Sequence, residues 1–239
     1  MTESIQPFDD ISARLLSEIQ KDFRDYLQYV KGLGFAGVAL SEDSLRILDD
    51  SHKEPLVESL DIIKRELGAC QGCKLHKGRR HIVFGAGNPG AKLVLVGEAP
   101  GYEEDMRGLP FVGKAGELLT RILLAIGLTR EDVYICNVIK CRPPGNRNPE
   151  PDEISACIPF LRRQLRAIRP QLICAMGTFA AQTLLETDKA ISLLRGHFHT
   201  YEGIRLLPTY HPAFLLRNPS KKRDVWKDMQ KLQEAYEKA

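Results

Sequence analysis

The sequence predicts an α/β fold: a three-layer α/β/α sandwich with a mostly parallel central sheet, preceded by an N-terminal helical appendage. From residue 92 onward, short apolar runs of strand length alternate with longer amphipathic segments of helical period. Strands that alternate with helices pair in parallel and are covered by helices on both faces. Before residue 68 the pattern is helical only, and the charge balance has the opposite sign.

The appendage, residues 1–67, is predicted to hold two helices. Gly32 and Gly34 end the first helix, residues 35–53 show no period and are interpreted as a linker, and the second helix is predicted over about 54–67. We expect no chemistry from this part of the chain. The apolar residues that define the first helix are Ile11, Leu15, Ile19, Phe23, Leu27 and Val30.

Residues 68–239 are predicted to form the sheet and its covering helices. In folds of this kind the ligand lies beyond the carboxyl ends of the strands, and the polar motifs described below follow those ends. Strands are predicted over 92–97, 133–140, 171–176, 198–201 and 204–208. Helices are predicted over 115–126, 152–168 and 178–185, and from about 221.

Composition and charge narrow the class of protein. No run approaches the roughly eighteen apolar residues of a membrane helix, and the N-terminus lacks the basic and apolar regions of a secretory signal, so we expect a cytoplasmic protein. Residues 1–67 hold 8 Lys and Arg against 14 Asp and Glu, a balance of −6, whereas residues 68–239 hold 26 against 17, a balance of +9. The basic segment, residues 68–239, can attract a polyanion such as nucleic acid, although ordinary charge scatter is an alternative.

Four of the six cysteines have the spacing of a metal site. Cys70 and Cys73 form a C-x2-C pair, Cys141 follows a predicted strand, and Cys157 lies in the next predicted helix. Four thiolates suit zinc or an iron–sulfur cluster, and the spacing does not choose between them. A redox-active C-x2-C pair is a further alternative. The two remaining cysteines lie in apolar strands and are predicted to be buried outside the site: Cys136 and Cys174.

Residues 85–90, Gly-Ala-Gly-Asn-Pro-Gly, match the pattern G-x-G-x-x-G literally. A dinucleotide-binding loop needs a strand before this pattern and a helix directly after it. Here Pro89 and the strand predicted from Lys92 follow instead. We therefore interpret the segment as a turn.

Three segments carry polar residues that packing alone does not require. They span 97–113 with the helix start at 114–119 that follows, 137–149 and 209–217. They contain G-E-A-P-G, F-V-G-x-A-G, N-x-x-K-C-R-P-P-x-N-R and H-P. Together with the four cysteines, these motifs resemble the family 4 uracil-DNA glycosylases, bacterial and archaeal enzymes that hold a [4Fe–4S] cluster on four cysteines. The resemblance covers about residues 68–235. It implies a monomer that hydrolyses the N-glycosidic bond of deoxyuridine in DNA, releasing uracil and leaving an abasic site.

The resemblance also implies how the base is read. A deoxyuridine within a duplex must be flipped out before it can be reached. Phe111 looks like the ring that stacks on the flipped base, and Asn137 looks like the amide that matches uracil O4 and N3–H, a pair that cytosine reverses. A core Phe and a backbone-capping Asn are the alternatives. The remaining wall of the pocket is implied to include Gly97, Ala99 and Glu104; either Glu103 or Glu104 would exclude the thymine methyl group, although surface-loop charge is the alternative for both.

For catalysis, the resemblance implies that His211 donates a hydrogen bond to uracil O2 as charge builds on the leaving base. A solvent-facing turn histidine is the alternative. Related glycosylase families have an Asp where this chain has Ala99, so the water-activating group is open between Glu98 and Asn146. Stabilisation of the departing uracil anion can supply much of the rate without a strong base.

Residues 215–217 resemble the segment that wedges into the gap left by the flipped nucleotide. These residues are Leu215, Leu216 and Arg217, and a core role is the alternative for both leucines. Basic residues near the motifs are candidates to contact phosphates, with a solvated basic face as the alternative. They are Lys140, Arg142, Arg147, Lys221, Lys222 and Arg223.

Three other functions remain open at this level. The same scaffold can serve as a non-catalytic DNA-binding or polymerase-accessory module. A zinc-bound hydrolase and a glycosylase for other deaminated bases are the further alternatives.

Overall fold

The computed structural model describes residues 22, 23, 25, 26, 28–34, 58–68 and 70–239. The chain divides into two compact units, Met1–Leu56 and Val57–Ala239. In the first unit, residues 28–32 are helical and a turn with Gly34 at φ 87° follows, as the predicted helix stop requires. The predicted linker at 35–53 and several apolar positions of this helix lie outside the described residues: Ile11, Leu15, Ile19 and Leu27.

The second unit opens with helix α1, Leu60–Leu67. Ser59 sets its first residue, because the Ser59 hydroxyl accepts the Ile62 N–H at 3.3 Å and caps the helix. The helix therefore begins later than the predicted residue 54, and residues 51–57 lie outside the described part of the chain. Ile63 and Leu67 are buried in this unit.

Six strands of the second unit form one sheet: β1 (Ala86–Gly87), β2 (Leu93–Gly97), β3 (Tyr134–Asn137), β4 (Leu172–Met176), β5 (His199–Tyr201) and β6 (Ile204–Thr209). Their spatial order is β1-β3-β2-β4-β6-β5. The four central strands are parallel, and the two edge strands are antiparallel to their neighbours. The predicted mostly parallel sheet is therefore confirmed.

Helices cover both faces of the sheet, as predicted: α2 (Tyr102–Arg107), α3 (Lys114–Ala125), α4 (Pro151–Ile168), α5 (Thr178–Leu185), α6 (Ile191–Leu194), α7 (Pro212–Arg217) and α8 (Lys222–Glu237). Alternate residues of β2 enter two separate cores. Val94 and Val96 pack with residues of α4 and α5, whereas Leu93 and Leu95 pack with residues of α3 and α8. This alternation is the period-2 pattern of a strand buried on both faces.

The differences from the predicted elements are local. The strand predicted over 133–140 ends at Asn137, and the helices α2, α6 and α7 are short elements that the helical period did not reveal. The G-x-G-x-x-G segment forms edge strand β1 and then a turn into β2, with no helix after it, so its rejection as a dinucleotide loop is confirmed. No helix of the described residues has the length and apolar character needed to span a membrane.

Candidate active site

The three polar segments meet beyond the carboxyl ends of β2, β3 and β6. Together they line one cavity of about 360 Å³ that opens to solvent. Asn137, Phe111 and His211 all lie on its wall. The predicted base-reading amide, stacking ring and imidazole are thus brought to one place by three different strand ends.

Asn137 is the last residue of β3 and is 1% exposed. No donor among the described residues reaches its Oδ1 atom, which is therefore a buried acceptor without a partner. Gly97 lies beside Asn137 in the sheet register. A Cβ atom at Gly97 would come within 2.4 Å of Asn137 Oδ1 and 2.7 Å of Phe111 Cζ, so only glycine allows the amide and the ring to approach at this point.

Phe111 has a left-handed backbone, φ 53°, which costs a non-glycine residue roughly 1–3 kcal/mol unless the surroundings hold it. Arg130 supplies that support, because its guanidinium donates to the carbonyl oxygens of Pro110 at 2.8 Å and Phe111 at 3.2 Å. A Cβ atom at Gly116 would lie 1.8 Å from the Phe111 oxygen, so α3 packs tightly on the same peptide. Sequence reasoning missed Arg130, since no local pattern links it to Phe111.

Glu104 lines the cavity from α2, and its carboxylate binds backbone rather than solvent. Oε1 accepts the N–H groups of Val112 at 3.0 Å and Gly113 at 3.2 Å, and Oε2 accepts that of Gly101 at 3.1 Å. These hydrogen bonds tie the G-E-A-P-G loop to the Phe111 loop. Glu103 instead forms a surface ion pair with Arg107 at 3.4 Å.

His211 caps the N-terminus of α7, and its Nδ1 atom accepts the Ala213 N–H at 3.1 Å. Burial lowers the pKa of His211 to about 4, so the ring is neutral near pH 7. Its centroid lies 5.3 Å from that of Phe111. A neutral ring that accepts at Nδ1 carries its proton on Nε2, which makes His211 a hydrogen-bond donor.

Glu98 and Asn146 also line the cavity but differ in what they offer. Burial raises the pKa of Glu98 to about 7. The Asn146 Oδ1 atom already accepts the Arg142 Nε–H at 2.7 Å. Ala99 is half-buried in the same wall, where its methyl group offers no acceptor for water.

Residues 215–217 divide between the core and the surface. Leu215 is 1% exposed and packs among α3 and α8, which is the core role left open for it above. Leu216 is 43% exposed, and Arg217 is exposed on the cavity wall. Only Leu216 and Arg217 are therefore placed where a wedge can act.

The basic residues near the motifs also divide. Lys140 is fully buried, so its prediction as a phosphate contact is wrong. Arg147 binds both carboxylate oxygens of buried Glu153, at 2.6 and 2.9 Å. Arg142 packs over the Tyr102 ring at 5.1 Å, while Lys222 and Arg223 remain exposed at the start of α8.

A second, smaller recess lies beside β3 and α4. Its wall contains the four cysteines predicted to hold a metal centre, Cys70, Cys73, Cys141 and Cys157. Within the described part of the chain, no three Cys, His, Asp or Glu side chains converge closely enough to hold a single ion. Cys136 and Cys174 are buried in strands away from this recess, as predicted.

Three of the four sulfur atoms already receive hydrogen bonds. The Gly72 N–H donates to Cys70 Sγ at 3.5 Å, the Lys140 N–H to Cys157 Sγ at 3.3 Å, and Arg79 Nη1 to Cys141 Sγ at 3.5 Å. Donors of this kind surround the thiolates of iron–sulfur centres and tune them. Four thiols on the wall of one recess are the donor set of a four-sulfur metal site.

Comparison with known proteins agrees with this geometry. Residues 84–233 match the family described as the uracil DNA glycosylase superfamily. The chain belongs to this superfamily. The α/β fold expected from the sequence agrees with this membership, and the cavity lies beyond the carboxyl ends of the sheet strands.

Three relatives are all named type-4 uracil-DNA glycosylases, and each aligns with most of this chain and with most of its own length. The protein of Archaeoglobus fulgidus is 46% identical over 186 residues, 74% of this chain and 94% of its own. That of Saccharolobus solfataricus is 46% identical over 188 residues (75% and 87%), and that of Thermotoga maritima 45% over 178 residues (73% and 93%). The resemblance drawn from the motifs is confirmed.

Proposed function

We propose that this chain excises uracil from DNA by hydrolysing the N-glycosidic bond of deoxyuridine, which leaves an abasic site. One observation carries the proposal: within the described part of the chain, Asn137 Oδ1 is a buried acceptor without a partner, on a wall shared with Phe111 and His211. Leaving such an acceptor unsatisfied costs about 1–3 kcal/mol. The uracil N3–H is a donor that satisfies it, and the similarity to type-4 uracil-DNA glycosylases supports the same ligand.

The Asn137 amide would distinguish uracil from cytosine. Its Oδ1 accepts from uracil N3–H while its Nδ2 donates to uracil O4. Cytosine presents an acceptor at N3 and a donor at its exocyclic amine, so both contacts become mismatches. Gly97 and the ring of Phe111, packed against this amide, would confine the base to a plane in which both hydrogen bonds form.

His211 would stabilise the leaving group. Its Nε2–H is the donor available to uracil O2, because Nδ1 is engaged with Ala213. Negative charge grows on O2 as the glycosidic bond breaks, so this hydrogen bond strengthens in the transition state. A neutral imidazole suits this role because it donates without transferring its proton.

Glu98 would orient the attacking water. An activating group must accept a proton from water, and the acceptor atom of Asn146 is already bound to Arg142. No donor among the described residues is bound to the Glu98 carboxylate, and its raised pKa makes it a stronger base than a surface glutamate. Asn146 would then contribute through its Nδ2 donor, and Glu104 would serve as a fixed wall near uracil C5.

Base flipping requires DNA contacts around the cavity. Leu216 is exposed and apolar and directly precedes Arg217 of the cavity wall, and we assign it to the space left by the extruded nucleotide. Arg217, on the cavity wall, and the exposed Lys222 and Arg223 at the start of α8 are assigned to phosphates.

The four thiols of the second recess would hold a [4Fe–4S] cluster. Bound there, the cluster would cross-link the C-x2-C loop to the segment between β3 and α4, which also carries Asn146. Its proposed role is structural, because the recess and the base cavity have separate walls. We further propose that the protein acts as a cytoplasmic monomer and that its catalytic residues are confined to 68–239. Helix α1 of the predicted appendage packs in the same compact unit as these residues.

Excision of uracil from a labelled oligonucleotide tests the proposal directly. Asn137→Asp keeps the shape of the side chain but places negative charge against uracil O4. We expect it to lower kcat/KM by about 10⁴-fold with an unchanged circular dichroism spectrum. Asn88→Asp is the matched control, since Asn88 is exposed and only its Oδ1 is engaged, with the Gly90 N–H. Equal rates for both variants would refute the assignment of Asn137.

The same assay separates the alternative functions. A non-catalytic module would bind uracil-containing DNA without cutting it at any enzyme concentration. A panel of oligonucleotides with deaminated purines would reveal broader lesion recognition. Zinc in place of iron in the purified protein, together with no uracil release, would favour the hydrolase alternative.

A further inference from the structure

Lys140 is the largest side chain that is fully buried among the described residues. Its ammonium group donates to the Asn137 carbonyl oxygen at 2.7 Å. None of the carboxylates in the described ranges forms an ion pair with it. A buried charge is costly unless an opposite charge compensates for it, so the surroundings of Lys140 call for an anion.

That anion would lie in the second recess, the one lined by the four cysteines; we call it the thiol recess. Lys140 forms part of its wall, and the Lys140 N–H donates to Cys157 Sγ. Arg79 lies on the same wall and donates to Cys141 Sγ. Two basic residues therefore flank sulfur atoms in a recess whose lining includes one carboxylate, that of Glu153, which Arg147 already binds.

A [4Fe–4S] cluster with four thiolates carries a net charge of about −2 in its oxidised form. We propose that Lys140 and Arg79 are the residues that neutralise this charge, and that Lys140 also couples the cluster to the base-reading strand end by holding the Asn137 carbonyl. Lys140 is thus a positioning residue for Asn137, with the cluster as its counter-ion. This inference rests on the cluster proposed above.

The proposed effect of Lys140 on the cluster predicts the sign of a change in reduction potential, which can be measured. Positive charge near a cluster stabilises the reduced form, so its removal moves the reduction potential to a more negative value. Loss of the hydrogen bond to Asn137, by contrast, loosens base reading and acts on excision. Lys140→Gln can retain an amide donor without charge, whereas Lys140→Met removes both.

The experiment uses the full chain purified without oxygen. Iron per chain, visible absorbance, the reduction potential and uracil excision are measured for Lys140→Met, Lys140→Gln and Arg79→Gln. Lys77→Gln is the control, because Lys77 is exposed on the same loop but outside the recess. We expect all three test variants to shift the potential to more negative values and to lose iron to a chelator about tenfold faster. Lys140→Met should also show the largest fall in excision.

Two results would overturn the inference: an unchanged potential in Lys140→Gln and Arg79→Gln, or a shift equal to that of Lys77→Gln. If Lys140→Met does not fold, Arg79→Gln and Lys140→Gln decide the outcome. A parental protein that excises uracil without containing iron would overturn the cluster proposal itself. A parental protein that contains iron, with variants of unaltered potential, would overturn only the role of Lys140 and Arg79.

Discussion

The Nδ1 atom of His211 accepts the backbone N–H of Ala213 at 3.1 Å, and this bond fixes which proton the imidazole can offer. The ring must keep its proton on Nε2 while it remains neutral. Because burial lowers the pKa of His211 to about 4, the neutral form persists throughout the neutral pH range. His211 is therefore a permanent donor toward the base cavity rather than an acid that titrates.

We expect His211→Ala to lower kcat by about 10²–10³-fold, the usual effect of removing one preorganised donor. His197→Ala is the control, since His197 is exposed at the surface. The ratio of parental to His211→Ala rates should stay constant from about pH 6 to 9, because His211 does not titrate there. A ratio that falls steadily as pH rises would show instead that the imidazolium is the acting form.

The positions of several site residues could be predicted from the sequence because they follow strand ends. The apolar run before Asn137 and the run before Glu98 each end at a polar residue, and parallel strands bring such ends together. The three hydrogen bonds of Glu104 and the guanidinium of Arg130 could not be predicted, since they depend on contacts between loops. Leu215 illustrates a third limit: α7 is too short to show which face of it is buried.

Glu98 should set the pH dependence of excision. Burial raises its pKa to about 7, so the water-orienting carboxylate forms as pH rises through that value, and kcat/KM should rise with it and then level off. Glu98→Gln should abolish this limb and lower the rate by about 10²–10⁴-fold. Glu103→Gln, at the exposed ion pair with Arg107, is the control. An unchanged pH profile in Glu98→Gln would remove Glu98 from catalysis.

The raised pKa of Glu98 also predicts that stability falls as pH rises, whereas activity rises. The unfolded Glu98 carboxyl ionises near pH 4.5 and the folded one near 7, so between these values the folded state binds the additional proton. Stability contributed by this group is therefore lost as pH rises through that window. Glu98→Gln should melt at a higher temperature than the parental protein at pH 8, and the two should converge below about pH 4.5.

Phe111 and Arg130 should behave as one unit. Phe111→Ala removes stacking on the flipped base, worth about 1–3 kcal/mol. Arg130→Met leaves the ring but frees the carbonyls that hold its left-handed backbone, and we expect roughly tenfold weaker excision, mainly through KM. In the double variant the Arg130 change should add almost nothing, because the ring that it positions is gone. Fully additive losses would mean that Arg130 acts independently, and Arg121→Met controls for the lost charge.

The cysteines allow the cluster site to be tested with a matched pair. Cys141→Ser and Cys136→Ser each remove a buried thiol close to the end of β3, but only Cys141 lies on the wall of the recess. We expect Cys141→Ser to lose iron and visible absorbance and to melt well below the parental protein, because the loop at Cys70 is then no longer tied to β3. Cys136→Ser should keep its iron. It replaces a small apolar group by a buried hydroxyl without a partner, which should lower the stability by about 1–3 kcal/mol. Iron retained in Cys141→Ser and lost in Cys136→Ser would place the cluster elsewhere.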